Sequence, residues 1–77
     1  MTAMGLDELP AGDEAEIESL SGAGAIVGRL AALGFVPGSR VAMIRNRGRG
    51  PVIVRVVHTR VALGRSEAGS IRARRIK

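Results

Sequence analysis

The residues that could perform chemistry in this chain are few. It carries one histidine, His58, seven carboxylates and no cysteine in 77 residues. Without cysteine there is no thiolate nucleophile, no thiolate metal site and no disulfide framework. His58, Ser66 and Glu67 can be drawn together on paper as base, nucleophile and orienter. However, the serine sits in no Gly-x-Ser-x-Gly elbow, and so short a chain cannot build a deep cleft around it. The expectation is a protein that is not an enzyme. A divalent transition metal would favour imidazole and carboxylate ligands. His58 and Glu67 are weak candidates for such a site, because two ligands do not make one. Glu14, Glu16 and Glu18 recur at period two, so one face of a strand could hold a hard cation weakly. The simpler reading of that triplet is an exposed polar edge. No tightly bound cofactor is expected, only a weak or adventitious divalent metal.

Anion chemistry is better provided for. Before Arg29 there is no basic residue, and six of the seven acids lie there. All 12 basic residues follow, with Glu67 as their only acidic companion, and the net charge is +5. Arg47-Gly48-Arg49-Gly50 is glycine-rich but lacks Gly-Lys-Ser/Thr and opens no helix, so it is no phosphate loop. A basic barrel could bind nucleic acid through Arg45, Arg47 and Arg49. Against this, Phe35 is the only aromatic residue, which leaves no stacking platform. Nucleic acid is therefore the rival partner rather than the expected one.

The elements that must position these residues follow from periodicity. Glu14 to Leu20 alternates, placing Ala15 and Ile17 inward and the glutamates in water. After Ser21-Gly22-Ala23-Gly24, residues Ile26, Leu30 and Leu33 fall at i, i+4 and i+7, so the spacing predicts a short helix docking through all three. Gly34 stands at the left-handed C-terminal position, with Phe35 then contacting Leu30, and Pro37 blocks continuation. Arg40 to Ile44 and Val52 to Val57 read as strands joined by a flexible hairpin loop, Asn46 to Pro51. Val57-His58-Thr59 leaves room only for a tight turn, so Arg60 to Leu63 returns antiparallel. Gly64 to Gly69 forms one helical turn, and Ile71 to Ile76 closes as a strand. The fold class is mainly β: a small barrel of about five strands, with one short helix after the first strand and a helical turn before the last. Closure would hide the sheet edges. One domain, 1–77, is expected. No apolar run is long enough to span a membrane, and the acidic N-terminus is not a signal peptide, which points to the cytoplasm.

Leu30-Ala31-Ala32-Leu33-Gly34-Phe35-Val36-Pro37-Gly38-Ser39-Arg40-Val41 resembles the FeoA family, small accessory proteins of bacterial ferrous-iron uptake. Leu9-Pro10-Ala11-Gly12-Asp13 is similar to the family's opening pattern. Arg60-Val61-Ala62-Leu63-Gly64-Arg65-Ser66-Glu67-Ala68 is similar to a later one. Leu30, Leu33, Gly34, Pro37, Gly38, Ala62 and Leu63 are the structural positions carried by the resemblance. It implies an SH3-like barrel and a cytoplasmic partner, the G-protein region of the FeoB ferrous-iron permease, with the membrane reached only through that partner. The same fold occurs in the C-terminal domain of iron- and manganese-dependent repressors, which makes a metal-sensing domain a further alternative. Two positions depart from the family pattern. His58 stands where a turn glycine is common, and histidine tolerates positive φ better than most residues. Gly64 stands where a basic residue is common.

Alternation also defines an interaction face. With Val41, Met43, Val52, Val54 and Val56 inward, Ala42, Ile44, Ile53 and Val57 point outward. Apolar residues exposed on neighbouring strands form a surface for the partner or for a second copy of the chain, unless a bulge shifts the parity.

Overall fold

The computed structural model describes residues 3–76; Met1, Thr2 and Lys77 of the expected 1–77 unit lie outside it. Among the described residues six strands and two helices follow one another: β1 (Met4–Gly5), a 3-10 turn (Leu6–Glu8), β2 (Glu14–Leu20), α1 (Gly24–Ala32), β3 (Arg40–Arg45), β4 (Val52–Val56), β5 (Thr59–Leu63), α2 (Arg65–Gly69) and β6 (Ile71–Arg75). They form one antiparallel sheet in the order β1-β6-β2-β3-β4-β5. The expected β class holds, with two corrections. There are six strands rather than about five, because a two-residue strand ahead of the 3-10 turn pairs with β6. The sheet is also not closed, since β1 and β5 end it without pairing to each other.

The sheet curls around a single core. Ala15 and Ile17 enter from β2, Val41 and Met43 from β3, Val52, Val54 and Val56 from β4, Leu63 from β5, and Ile71 and Ala73 from β6. Every inward assignment made from alternation is thus met. Leu6, Leu9, Leu30, Phe35 and Ala68, from outside the strands, complete the same core. Among the described residues no polar or charged side chain is fully buried. Stability therefore rests on apolar burial, at ~25 cal/mol per Å² removed from water.

α1 docks differently from the sequence expectation. Leu30 is fully buried, whereas Ile26 and Leu33 are 39% and 38% exposed. The stripe exists, but this nine-residue helix buries only the middle residue of it. Its C-terminus explains why Phe35 supplies the second anchor. Gly34 has φ of 106°, its N–H donates to the carbonyl of Ala31 (3.0 Å), and the Phe35 N–H donates to the carbonyl of Leu30 (3.0 Å). This is a Schellman motif, and its apolar pair is Leu30 with Phe35. The chain then turns at exposed Pro37-Gly38, whose Gly38 N–H donates to the Ile17 carbonyl (2.8 Å), and enters β3. Both short helical segments begin on a glycine whose N–H is held by a glutamate three residues on, Gly5 by Glu8 (3.3 Å) and Gly64 by Glu67 (3.2 Å).

Two bulges adjust the sheet. The register of β2 against β6 shifts between Ile17 and Ser19, leaving Glu18 as the extra residue. That of β3 against β4 shifts between Met43 and Arg45, leaving Ile44 as the extra residue. The Asn46–Pro51 loop is fastened rather than free. The Asn46 Nδ2 amide donates to the carbonyls of Asp7 (2.8 Å) and Leu9 (2.9 Å). Arg65 donates to the Gly50 carbonyl (2.8 Å), the Asp7 carbonyl (3.0 Å) and Asn46 Oδ1 (2.7 Å).

Candidate interaction surface

The outer face of β3, β4 and β5 collects what the core excludes. Register places Arg45, Ile53 and Ala62 in one row across the three strands, and Ala42, Arg55 and Arg60 in the next. Arg40 precedes Ala42 on the same face, and the fastened loop adds Arg47 and Arg49. The bulge corrects the proposed apolar face. By simple alternation Ile44 would lie beside Ile53, but the extra residue puts Arg45 there instead. Ala42, Ile44 and Ile53 are half-buried rather than exposed. Of the four residues assigned to the partner face, only Val57 is largely exposed, at 68%.

Two shallow grooves mark this face. The larger, about 540 Å³, is walled by Arg45, Arg47 and Arg49 and floored by Pro51, Ile53 and Ala62. The smaller, about 240 Å³, lies between Glu14, Arg40, Ala42, Arg55 and Val57. Six arginines, Arg40, Arg45, Arg47, Arg49, Arg55 and Arg60, are exposed on this side. Among the described residues none of the six has a carboxylate within ion-pairing distance. Four of the acids are paired with other arginines. Arg74 bridges Glu16 (3.6 Å) and Glu18 (3.2 Å), and Arg75 pairs with Asp13 (3.0 Å).

These pairings settle the position of the weak metal candidates. Arg74 occupies the space between two carboxylates of the Glu14–Glu16–Glu18 triplet. Glu67 is committed through one oxygen to the Gly64 N–H and through the other to Arg29, which ties α2 to α1. His58 lies in the β4–β5 turn, and the structure does not bring it to Glu67. Among the described residues no three His, Asp or Glu side chains gather as a metal centre would require.

The β4–β5 turn holds a feature the sequence did not announce. Val56 pairs with Thr59, so Val57 and His58 form a two-residue hairpin loop. Val57 has φ of 58°, the only positive φ at a described non-glycine residue. The left-handed position expected at His58 is therefore one residue earlier. A positive φ at the first residue of a two-residue hairpin loop is usually taken by glycine, asparagine or aspartate, and a β-branched side chain there is strained. Val57 sits over Gly34: a Cβ added at Gly34 would lie 3.2 Å from Val57 Cγ2 and 3.3 Å from Val56 Cγ2. Leu33 and Val36, 38% and 40% exposed, flank that glycine. Leu33, Val36 and Val57 thus form an apolar corner that adjoins the arginine face through Arg40 and Arg55. Sequence reasoning found Val57 by parity. It missed Leu33 and Val36, having assigned the first to the core.

The FeoA domain family matches residues 4–75. No curated protein matches the chain in sequence. A crystal structure of an iron uptake regulatory protein, FeoA, superposes with a TM-score of 0.90 at 26% identity, over 96% of this chain and 99% of that one. The FeoA of Stenotrophomonas maltophilia, solved in complex with zinc and described as an SH3 domain protein, is 41% identical over 92% of this chain and 86% of its own, with a TM-score of 0.77. A manganese-dependent transcriptional repressor shares the fold at 22% identity and a TM-score of 0.86, with 96% of this chain covering 42% of that one.

Proposed function

The chain belongs to the FeoA family, which serves ferrous iron transport, and from that premise we propose that it acts by binding rather than by catalysis, as a cytoplasmic accessory protein that engages the cytoplasmic G-protein region of a FeoB-like permease. The observation that carries this reading is the family match across nearly the whole chain. The surface supports it. A strained, exposed valine at a hairpin tip, beside two more exposed apolar side chains, costs stability that a contact would offset. Among the described residues no helix is long and apolar enough to cross a membrane, so the permease would supply the membrane link. Ferrous iron is the transported substrate, and the chain's own residues are not proposed to hold it tightly. The unpaired arginines favour a second reading, a nucleic-acid-binding module. The likeness to the repressor is one of fold and adds no ligand to this chain.

The test is a binding titration with the permease's cytoplasmic domain, with and without guanine nucleotide. Leu33→Glu and Val57→Glu should leave the fold intact and weaken binding, because each sets a charge in an apolar contact. Failure of the wild type to bind in any nucleotide state overturns the proposal.

A further inference from the structure

The arginine face is costly to build. Arg55 and Arg60 stand directly opposite each other on β4 and β5, where like charges repel. Four more arginines share the face without an acidic partner among the described residues. The loop bearing Arg47 and Arg49 is held by four side-chain hydrogen bonds made by Asn46 and Arg65, so these two arginines project from a fixed backbone frame. Holding that backbone in advance lowers the ordering cost of binding. The arrangement selects an anion, and its shape narrows the kind.

Between Arg45, Arg47 and Arg49 the floor is apolar, made by Pro51, Ile53 and Ala62. A nucleic-acid backbone has only phosphate and sugar to lay there, and the chain's one aromatic residue, Phe35, is fully buried and offers no base a stacking partner. A lipid surface is planar, and its apolar part lies beneath the charged headgroups, so it does not enter a concave floor. A polypeptide that alternates acidic and apolar side chains satisfies both parts of the groove at once. Its carboxylates meet the guanidinium forks and an apolar side chain lies on Ile53 and Ala62. Glu14, the one carboxylate lining either groove, belongs to the smaller one and leaves the larger without an acid.

We propose that the groove walled by Arg45, Arg47 and Arg49 is a docking site for an extended acidic-apolar segment of a protein partner. The proposal rests on the accessory-protein reading only for the identity of that partner.

The probe is a short labelled peptide alternating Glu and Leu, followed by fluorescence anisotropy, with a Lys–Leu peptide, a mixed-sequence single-stranded RNA and phosphatidylglycerol vesicles as comparisons. The Glu–Leu peptide should bind the wild type and the Lys–Leu peptide should not. Replacing Arg45, Arg47 and Arg49 together by Gln should weaken peptide binding about tenfold, three exposed ion pairs each contributing a few-fold. Ile53→Ser, checked for folding by circular dichroism, should weaken it about threefold for the lost apolar contact. Equal peptide binding by the wild type and the Gln variant overturns the proposal, as does tighter binding of RNA or vesicles than of peptide. The permease domain separates the two readings. If it fails to bind while the peptide follows the arginines, the partner assignment falls and the groove stands. If it binds wild type and Gln variant alike, the groove falls and the partner assignment stands.

Discussion

The sharpest test of the structure is at Val57. Its φ of 58° places a β-branched residue in the left-handed region, which costs ~1–3 kcal/mol. Substituting Asn, which tolerates that region, should recover most of the strain. The replacement loses the part of the valine that is covered. Since 68% of the residue is exposed, this forfeits about a third of the ~1.5–3 kcal/mol that full burial of a valine is worth. The balance for Val57→Asn is a gain of ~1 kcal/mol. In a domain of this size that raises Tm by ~4–8 °C. Val57→Gly relieves the same strain but frees the unfolded chain, at a cost of ~0.4–1 kcal/mol, so it should gain less than Asn. Val57→Thr keeps the β-branch and should gain nothing. Thermal and urea unfolding followed by far-ultraviolet circular dichroism would measure all three. A lower Tm for Asn, or an equal rise for Thr, would refute the assignment of strain to this backbone. If the valine is retained for contact, the stabilised variants should bind the permease domain more weakly than the wild type.

Leu30→Ala should lose ~2–5 kcal/mol by calorimetry while Ile26→Ala loses less than ~1, because one is fully buried and the other 39% exposed. Arg65→Ala removes three hydrogen bonds, two of them to the Asn46–Pro51 loop, and should cost ~1–3 kcal/mol and speed amide exchange in that loop. Gly34→Ala should destabilise by ~1–3 kcal/mol, since its φ of 106° and its close approach to Val57 and Val56 both oppose a side chain. Anaerobic calorimetry with ferrous iron should show no stoichiometric tight site in the isolated chain; a tight site abolished by His58→Ala would contradict the arrangement described.

The strand faces were legible because burial on one side of a sheet imposes period two, and Val41, Met43, Val52, Val54 and Val56 obey it. The C-terminus of α1 was legible for a similar reason: glycine is the residue that a left-handed position admits most cheaply, and Gly34 takes it. The bulges were not. An extra residue at Glu18 or Ile44 has no compositional mark, yet each changes which side chains share a row, and the second replaces Ile44 by Arg45 beside Ile53. The apolar stripe of α1 was read correctly as a stripe and wrongly as wholly buried, because periodicity reports a face but not how much sheet is available to cover it. At the β4–β5 turn, residue preference pointed to His58 while the geometry chose Val57. A local rule yields there to the pairing of Val56 with Thr59 that the rest of the hairpin enforces. The fastening of the arginine loop depends on residues far apart in sequence, Asn46, Asp7 and Arg65, and no local pattern foretells it.

Because the sheet stays open, β1 and β5 are its two terminal strands, and bare backbone edges of this kind invite other chains to add on. β1 offers only two residues, too few to seed an extended ladder. β5 is longer, but it carries Arg60 in its exposed row beside Arg55, close to the rest of the guanidinium face. A second copy adding at that edge would bring another field of the same sign alongside the first. The face proposed to attract acidic segments thus also opposes edge-to-edge addition of identical molecules through like-charge repulsion. Neutralising Arg55 and Arg60, the pair nearest that edge, should therefore be tolerated by the fold and promote association of identical chains, so the same charge serves both to recruit a partner and to refuse a copy.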